Sequence, residues 1–398
     1  MSHYVLISTI YIDKPSANGI CAQNLVKALE DSGNSVDVIC YHSDEPHKAN
    51  IYTVPSICNN DEGSLIGKFR SLSRLVYPKF DNTLIDNYLQ QLSTINEKRK
   101  IDCIIAMYFP FESVEAVYRF KKKYDDVTAI VYELDSVGDG IAQSGIQGWI
   151  TKSYERWLMR SYLKFDAIFV MKSHEQYWRT VFGKKYIDKL QVADIPVFTR
   201  KTTKDSDSCK QKTIKMIYAG LIEKKYRSPS YLLDVLRIMK NDIEYEMQFF
   251  SKGDCEEEIQ IVANDTGKII QNGYVEPDVL EYAIQDADFL ISIGNSVSRS
   301  VPSKIISYLS YGKPIIHFSS QKDDICKEYL QGYGLALIVD QTESVEKSAA
   351  IIREFINKNR GKTLPYDTIR KKLYLNNPAY SAKVMSSIVF KNKVGRME

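Results

Sequence analysis

The stretch Gly273-Tyr274-Val275, then Ala287-Asp288-Phe289-Leu290-Ile291-Ser292-Ile293, then Val301-Pro302-Ser303-Lys304-Ile305-Ile306-Ser307-Tyr308-Leu309, then Tyr311-Gly312-Lys313-Pro314-Ile315-Ile316 sets the reading of the chain. A helix-like segment opens at Pro277. After it come an apolar strand, a polar loop, a short helix and a second apolar strand. That is a β-loop-α-β unit. The N–H groups of a helix's first turn lack partners inside the helix and point beyond the strand's end. Ser303 suits the N-cap. Lys304 adds a positive charge in the first turn, where it opposes the helix dipole. A bound phosphate would offset that cost. An ordinary βα junction with a capped helix shows the same local pattern.

Outward from this unit the alternation continues. Ala336–Val339 reads as a strand and Val345–Lys358 as a helix. On the other side, Ile214–Tyr218, Glu246–Phe250 and Lys268–Asn272 read as strands and Tyr231–Met239 as a helix. Before them, Thr199-Arg200-Lys201-Thr202-Thr203-Lys204-Asp205-Ser206-Asp207-Ser208 is polar and nearly free of large apolar side chains, as in an interdomain linker. The first half repeats the pattern. Strands are predicted at Tyr4–Ile10, Ser35–Tyr41, Ile101–Met107, Thr128–Tyr132 and Ala167–Met171. Helices are predicted at Cys21–Ser32, Leu84–Lys98, Glu112–Lys123 and Thr151–Leu163. This is an α/β chain of two Rossmann-like, doubly wound parallel-sheet domains, over 1–198 and 211–376. The tail Asn377–Phe390 has helical apolar spacing at Ala379, Val384, Ile388 and Phe390.

A chain of 398 residues is too long for one ordinary core. The net charge of +3 does not suggest a nucleic-acid partner. No run of about 18 apolar residues predicts a transmembrane helix. Met1-Ser2-His3-Tyr4 lacks a basic region and enters a strand directly, which reads as mature sequence and not as a signal peptide. Seven cysteines without CxxC spacing point to reduced thiols in a cytosol, with Cys40 and Cys103 in the core. Five histidines show no metal-ligand spacing, so no metal is expected.

The opening stretch also resembles the nucleotide-sugar half of GT-B glycosyltransferases, in particular family 4 enzymes and their exopolysaccharide-type relatives. In many of them a Pro-Ser-Lys step opens a helix ending in a phrase like Tyr308-Leu309-Ser310-Tyr311-Gly312-Lys313-Pro314-Ile315-Ile316. The resemblance implies two domains facing across a cleft, with a C-terminal helix crossing back, so that 377–398 joins the first domain. It implies transfer from a nucleotide-diphosphate sugar, retaining and without metal or other cofactor. The family's spaced pair of glutamates falls here on Arg299 and Ser307. Ser307 can make one hydrogen bond to a ribose hydroxyl but cannot supply the charge-assisted pair.

Active loops of such domains lie at the C-terminal ends of the strands. Asn18-Gly19, in the loop after the first strand, can bring backbone N–H groups to a phosphate or acceptor. It is not a GxGxxG loop. In Tyr132-Glu133-Leu134-Asp135-Ser136-Val137-Gly138-Asp139, Asp135 is the first catalytic candidate and Asp139 the second. The resemblance places a His-Asp pair there, and only the Asp matches. An exposed loop carboxylate would read the same. Tyr218-Ala219-Gly220-Leu221-Ile222-Glu223-Lys224-Lys225-Tyr226-Arg227 joins a glycine to basic residues suited to a diphosphate. Arg227 fits that role best, with Lys224 and Lys225 as alternates. Gly273, Tyr274 and Val275 stand where the family contacts the nucleobase.

The reading is a cytoplasmic glycosyltransferase that extends a glycan or lipid-linked glycan in surface polysaccharide assembly. A peripheral contact with the inner membrane is offered by 154–163 and 67–77, where aromatic, aliphatic and basic residues alternate. Burial of both helices on their own domain is the alternative. Two rival functions stay open. One is a catalytically silent GT-B protein acting as a partner or scaffold. The other is a nucleotide-sugar epimerase, for which His174 is the only histidine near a plausible loop.

Overall fold

The computed structural model describes residues 1–9, 11, 16–42, 49–55, 80–107, 110–134, 145–182, 184–201, 212–296 and 303–396. The chain divides into two compact units, Met1–Val197 with Leu375–Glu398, and Phe198–Tyr374. Asp135, Asp139, Arg299, the 67–77 segment and most of the predicted linker lie outside the described residues.

Unit one runs β1 (His3–Ile7), α1 (Ala17–Asp31), β2 (Ser35–Tyr41), β3 (Ile51–Val54), α2 (Asn82–Lys98), β4 (Cys103–Met107), α3 (Phe111–Lys123), β5 (Thr128–Glu133), α4 (Gly145–Tyr162), β6 (Ala167–Val170), α5 (Glu175–Phe182), α6 (Lys184–Ile187) and β7 (Leu190–Val192). Its strands pair in parallel in the order β3-β2-β1-β4-β5-β6-β7. β1, β4 and β5 are buried along their whole length, which explains why they read as unbroken apolar runs. The first helix opens earlier than its apolar spacing predicts. Ser16 caps it, its Oγ accepting the Gly19 N–H at 3.0 Å. Asn18 and Gly19 therefore sit in the first helical turn and not in a loop, and the Gly19 N–H is already engaged.

Unit two runs β8 (Ile214–Ile222), α7 (Ser230–Met239), β9 (Tyr245–Gly253), α8 (Glu256–Thr266), β10 (Ile269–Gln271), α9 (Pro277–Asp286), β11 (Phe289–Ile293), α10 (Ser303–Leu309), β12 (Ile315–Ser319), α11 (Cys326–Leu330), β13 (Ala336–Asp340), α12 (Val345–Asn359) and α13 (Tyr366–Lys372). Its parallel order is β10-β9-β8-β11-β12-β13. β8 does not end at Tyr218, the last residue of the strand read from the sequence. The ladder with β9 continues from Tyr218–Phe249 through Gly220–Ser251 to Ile222–Gly253.

The final helix, α14 (Pro378–Val394), belongs to unit one. Its buried face is Pro378, Ser381, Ala382, Met385 and Val389. The predicted stripe is corrected by this: Ala379 and Phe390 are exposed. Hydroxyl contacts set the rotation of the helix. The buried Tyr132 hydroxyl donates to Asp194 O at 2.6 Å and lies 3.2 Å from Ser381 Oγ. Tyr4 donates to Ser386 Oγ at 3.3 Å. The proposed membrane face of 154–163 is also corrected in part. Trp157, Leu158 and Tyr162 of α4 are core residues, and the Trp157 indole donates to Glu115 Oε2 at 3.2 Å. None of the described helices is long and apolar enough to cross a membrane.

Glu133 closes β5 with its side chain buried. The Tyr162 hydroxyl donates to Oε1, while Oε2 has no hydrogen-bond partner among the described residues. Burial pushes this carboxyl well above the usual range, against the lowering effect of the Tyr162 bond. The folded state thus holds a proton that the unfolded state releases. Its stabilising contribution is complete below the ordinary glutamate range and declines as pH rises through that range towards Glu133's own raised value. Glu133→Gln, which stays neutral, should lose this slope and gain stability relative to wild type as pH rises. Unfolding midpoints in urea at pH 5 and pH 8 check it. A wild-type profile parallel to that of the variant would refute it.

Candidate functional site

The strand order of unit two reverses between β8 and β11. From β8 the chain winds to β9, and from β11 it winds the other way to β12. Such a switch point leaves a crevice at the carboxyl ends of its two strands, and ligands of open α/β sheets bind there. The turn after β8 and the residues after β11 meet at this place. Tyr226 N and Arg227 N both donate to Glu223 O, at 3.0 and 2.6 Å. The Ser296 N–H donates to Tyr226 O at 2.7 Å, and Ser296 Oγ to Lys225 O at 2.9 Å. The Lys224 N–H donates to Asp254 Oδ1 at 2.7 Å, which ties the turn to the end of β9.

Arg227 is the centre of this arrangement. Its Nε and Nη2 donate to Asn295 Oδ1 at 3.0 and 2.5 Å, and Nη1 donates to Leu221 O at 3.2 Å. The planar fork is thereby fixed before any ligand arrives. Gly220 lies beside it at φ 150°, a conformation that favours glycine; a Cβ there would make ordinary contact, 3.4 Å from the Tyr218 hydroxyl and 3.7 Å from Arg227 Nη1. Burial raises the Tyr218 pKa, and Arg227 draws it partly back.

α10 approaches from the next crossover. The buried Tyr308 hydroxyl accepts the Ala219 N–H at 2.7 Å, so the helix is tied to β8 one residue before Gly220. Lys304 lies one turn earlier on the same face. It is half-buried, and among the described residues no carboxylate pairs with it. Burial lowers its pKa, and the like charge of Lys201 lowers it further. Lys201 itself is paired with Glu281 at 3.0 Å. Ser303 is the first helical residue, so the helix opens one position earlier than a Ser303 cap would set it. Ser307 is half-buried. Gly312-Lys313 of the family-like phrase has a structural role. A Cβ on Gly312 would fall 2.3 Å from Leu364 O. The buried Lys313 ammonium donates to Gln285 O and Ala287 O, at 2.7 and 2.5 Å, and caps the end of α9.

Gly273, Tyr274 and Val275 follow β10, with Gly273 at φ 64°. Lys252 Nζ stands 4.7 Å over the half-exposed Tyr274 ring. Lys224 and Lys225 are exposed, and Lys225 Nζ lies 5.0 Å over the Tyr226 ring. The structure thus brings Gly220, Arg227 and the α10 residues to one end of one sheet. Asn18 and Gly19 lie in the other unit.

Sequence reasoning passed over Asn295, Tyr308 and a buried cluster beneath Asn295. His317 is fully buried, its Nδ1 3.0 Å from Ser292 Oγ and its Nε2 2.8 Å from Asp324 Oδ2. Among the described residues, His317, Asp324 and Cys326 form the group that could hold a metal, their donor atoms within 4.8 Å of one another. Both imidazole nitrogens are already engaged, and burial pushes the Cys326 thiol well up. The alternation of residue types around His317 carries no spacing signal that would have exposed the cluster.

No family model matches the chain, and no curated protein matches its sequence. Solved structures do match. The chain is similar to the apo form of the lipopolysaccharide outer core galactosyltransferase WaaB, at 16% identity and a TM-score of 0.59, over 98% of this chain and 99% of that one. It is similar to Anabaena Alr3699/HepE in complex with UDP-glucose, at 12% identity and a TM-score of 0.55, over 100% of both chains. It is also similar to UDP-GlcNAc 2-epimerase from Neisseria meningitidis bound to UDP-GlcNAc, at 12% identity and a TM-score of 0.56, over 98% and 100%. At such identities the likeness establishes the fold. The chain has the GT-B fold, with two parallel-sheet α/β domains of seven and six strands.

Proposed function

We propose that this protein is a glycosyltransferase that takes a sugar from a nucleotide-diphosphate donor. The observation that carries the reading is Lys304, a half-buried cation with no carboxylate partner among the described residues, next to the switch point where Arg227 is held in place. An unpaired charge withdrawn from water is costly unless something anionic arrives. Arg227 and Lys304 would take up the charge that develops on the leaving diphosphate, the main electrostatic task when the glycosidic bond breaks. Lys224 and Lys225 are the alternates for this role. Gly273, Tyr274 and Val275 would face the nucleobase, and Ser307 a ribose hydroxyl. Transfer would be retaining and independent of metal, onto a glycan or lipid-linked acceptor in surface polysaccharide assembly. A peripheral contact with the cytoplasmic membrane face would use the 67–77 segment or the exposed residues of 154–163.

A second reading, a catalytically silent partner protein, is favoured by one observation: Arg299 and Ser307 stand where the resembled family has glutamates. Calorimetric titration with UDP, ADP and GDP against their bare nucleosides, followed by donor hydrolysis and transfer assays, separates the cases. A diphosphate should bind more tightly than its bare nucleoside. Absence of binding to all three would end the donor reading, and binding without turnover would favour the silent protein. In an active preparation, Asp135→Asn should lower turnover on the order of a hundredfold while nucleotide affinity holds, as expected of an acid/base or positioning carboxylate. Unchanged turnover would move attention to Asp139.

A further inference from the structure

We propose that the buried His317–Asp324 pair is a positioning device for Arg227, acting through the Gly294-Asn295-Ser296 backbone. This rests on the donor reading given above and assigns the residues that preset its arginine.

The connection is continuous. Ser292, on β11, holds His317 on β12 at 3.0 Å, and His317 holds Asp324 at 2.8 Å. Asp324 also accepts the Cys326 N–H at 2.9 Å. The carboxylate is thus a fixed wall, held by the imidazole and by the Cys326 N–H. Gly294 lies against that wall so closely that a Cβ would fall 2.3 Å from Asp324 Oδ2 and 3.3 Å from Phe318 O. The Gly294 N–H donates to Phe318 O at 2.8 Å. On the other side, the Ser296 N–H donates to Tyr226 O at 2.7 Å. Asn295 is therefore pinned through both neighbours, and its Oδ1 receives two N–H groups of Arg227.

The pair does not suit direct chemistry. His317 has no exposed surface and both ring nitrogens are engaged. It can act on a ligand only through what it holds in place. A guanidinium fixed in advance loses less freedom when it meets a phosphate, and a misplacement of about 1 Å can cost up to roughly a hundredfold.

The test follows the arginine itself. In protein labelled with nitrogen isotope at arginine, the Arg227 Nε–H should give a protected signal, identified by its loss in Arg227→Ala. Asp324→Asn and Gly294→Ala should each lose that signal to exchange with water. Donor-diphosphate affinity should fall roughly ten- to hundredfold, and turnover should fall with it, because the same guanidinium takes up the leaving-group charge. Cys326→Ser, a near-isosteric change in the same pocket, should leave the signal in place, and thermal unfolding confirms that each variant is folded. If Asp324→Asn should unfold, Gly294→Ala and the milder Ser292→Ala carry the test. A protected Arg227 signal in the folded variants overturns the proposal. If the signal is lost but wild type binds none of UDP, ADP and GDP, the positioning role stands and the donor reading falls.

Discussion

Gly253→Ala should lower the stability of unit two by at least about 3 kcal/mol, combining a backbone conformation nearly restricted to glycine with overpacking. Gly253 ends β9 at φ 149°, and a Cβ there would lie 1.5 Å from Ile222 O. No rotamer relieves this, because the obstacle is backbone. Either β8 or β9 must move. Ile222 O also accepts the Asp254 N–H at 3.2 Å, and Asp254 holds the Lys224 N–H. A displacement of Ile222 thus reaches the turn that carries Arg227, and diphosphate affinity should fall together with stability. Gly267→Ala is the comparison. Gly267 caps α8 at φ 65° with nothing within 4 Å of its would-be Cβ. It should lose only the left-handed penalty, about 1–2 kcal/mol, and leave binding alone. Chemical unfolding of both variants decides it. A Gly253→Ala midpoint no lower than that of Gly267→Ala would sink the crowding argument.

The same glycines show where the sequence could be read and where it could not. Phe289–Ile293 and Ser35–Tyr41 were legible to the residue, because strands buried in a parallel sheet must be apolar along most of their length. Gly220 and the basic residues after it resemble a turn, so β8 was read too short. Pairing with β9 carries it on to Ile222. The edge strand β3 is half-buried and only four residues long, too little for a period to show. α8 was legible after the fact, through Glu256, Glu257 and Glu258 in its first turn and Gly267 at its end. Arg227 stood out as a charge between a glycine and a helix. Its partner Asn295 did not, since 68 residues separate them, and Tyr308 is 89 residues from Ala219. Contacts of that span are made by the strand order. Neither residue carries a local signal.

Removing both cations should have the largest effect on binding. Arg227→Ala and Lys304→Ala should each weaken diphosphate binding by about 1.5–3 kcal/mol, the range for hydrogen bonds to charged groups. The double variant should lose about 3–5 kcal/mol, roughly a hundred- to several-thousandfold in affinity, while the bare nucleoside binds as before. Two cations that grip one diphosphate should not act independently, so the cycle should close with a coupling of at least about 0.5 kcal/mol. Strict additivity would place them on separate parts of the ligand, and single variants that bind like wild type would remove the clamp. Stability supplies an independent check of opposite sign. Lys304 is partly withdrawn from water, with no carboxylate partner among the described residues, and near the charge of Lys201. In the absence of ligand it should destabilise the fold, and Lys304→Met should raise the unfolding temperature even as it weakens diphosphate binding. A residue that lowers stability for the sake of an anion should show both changes. A merely solvated surface lysine should show neither.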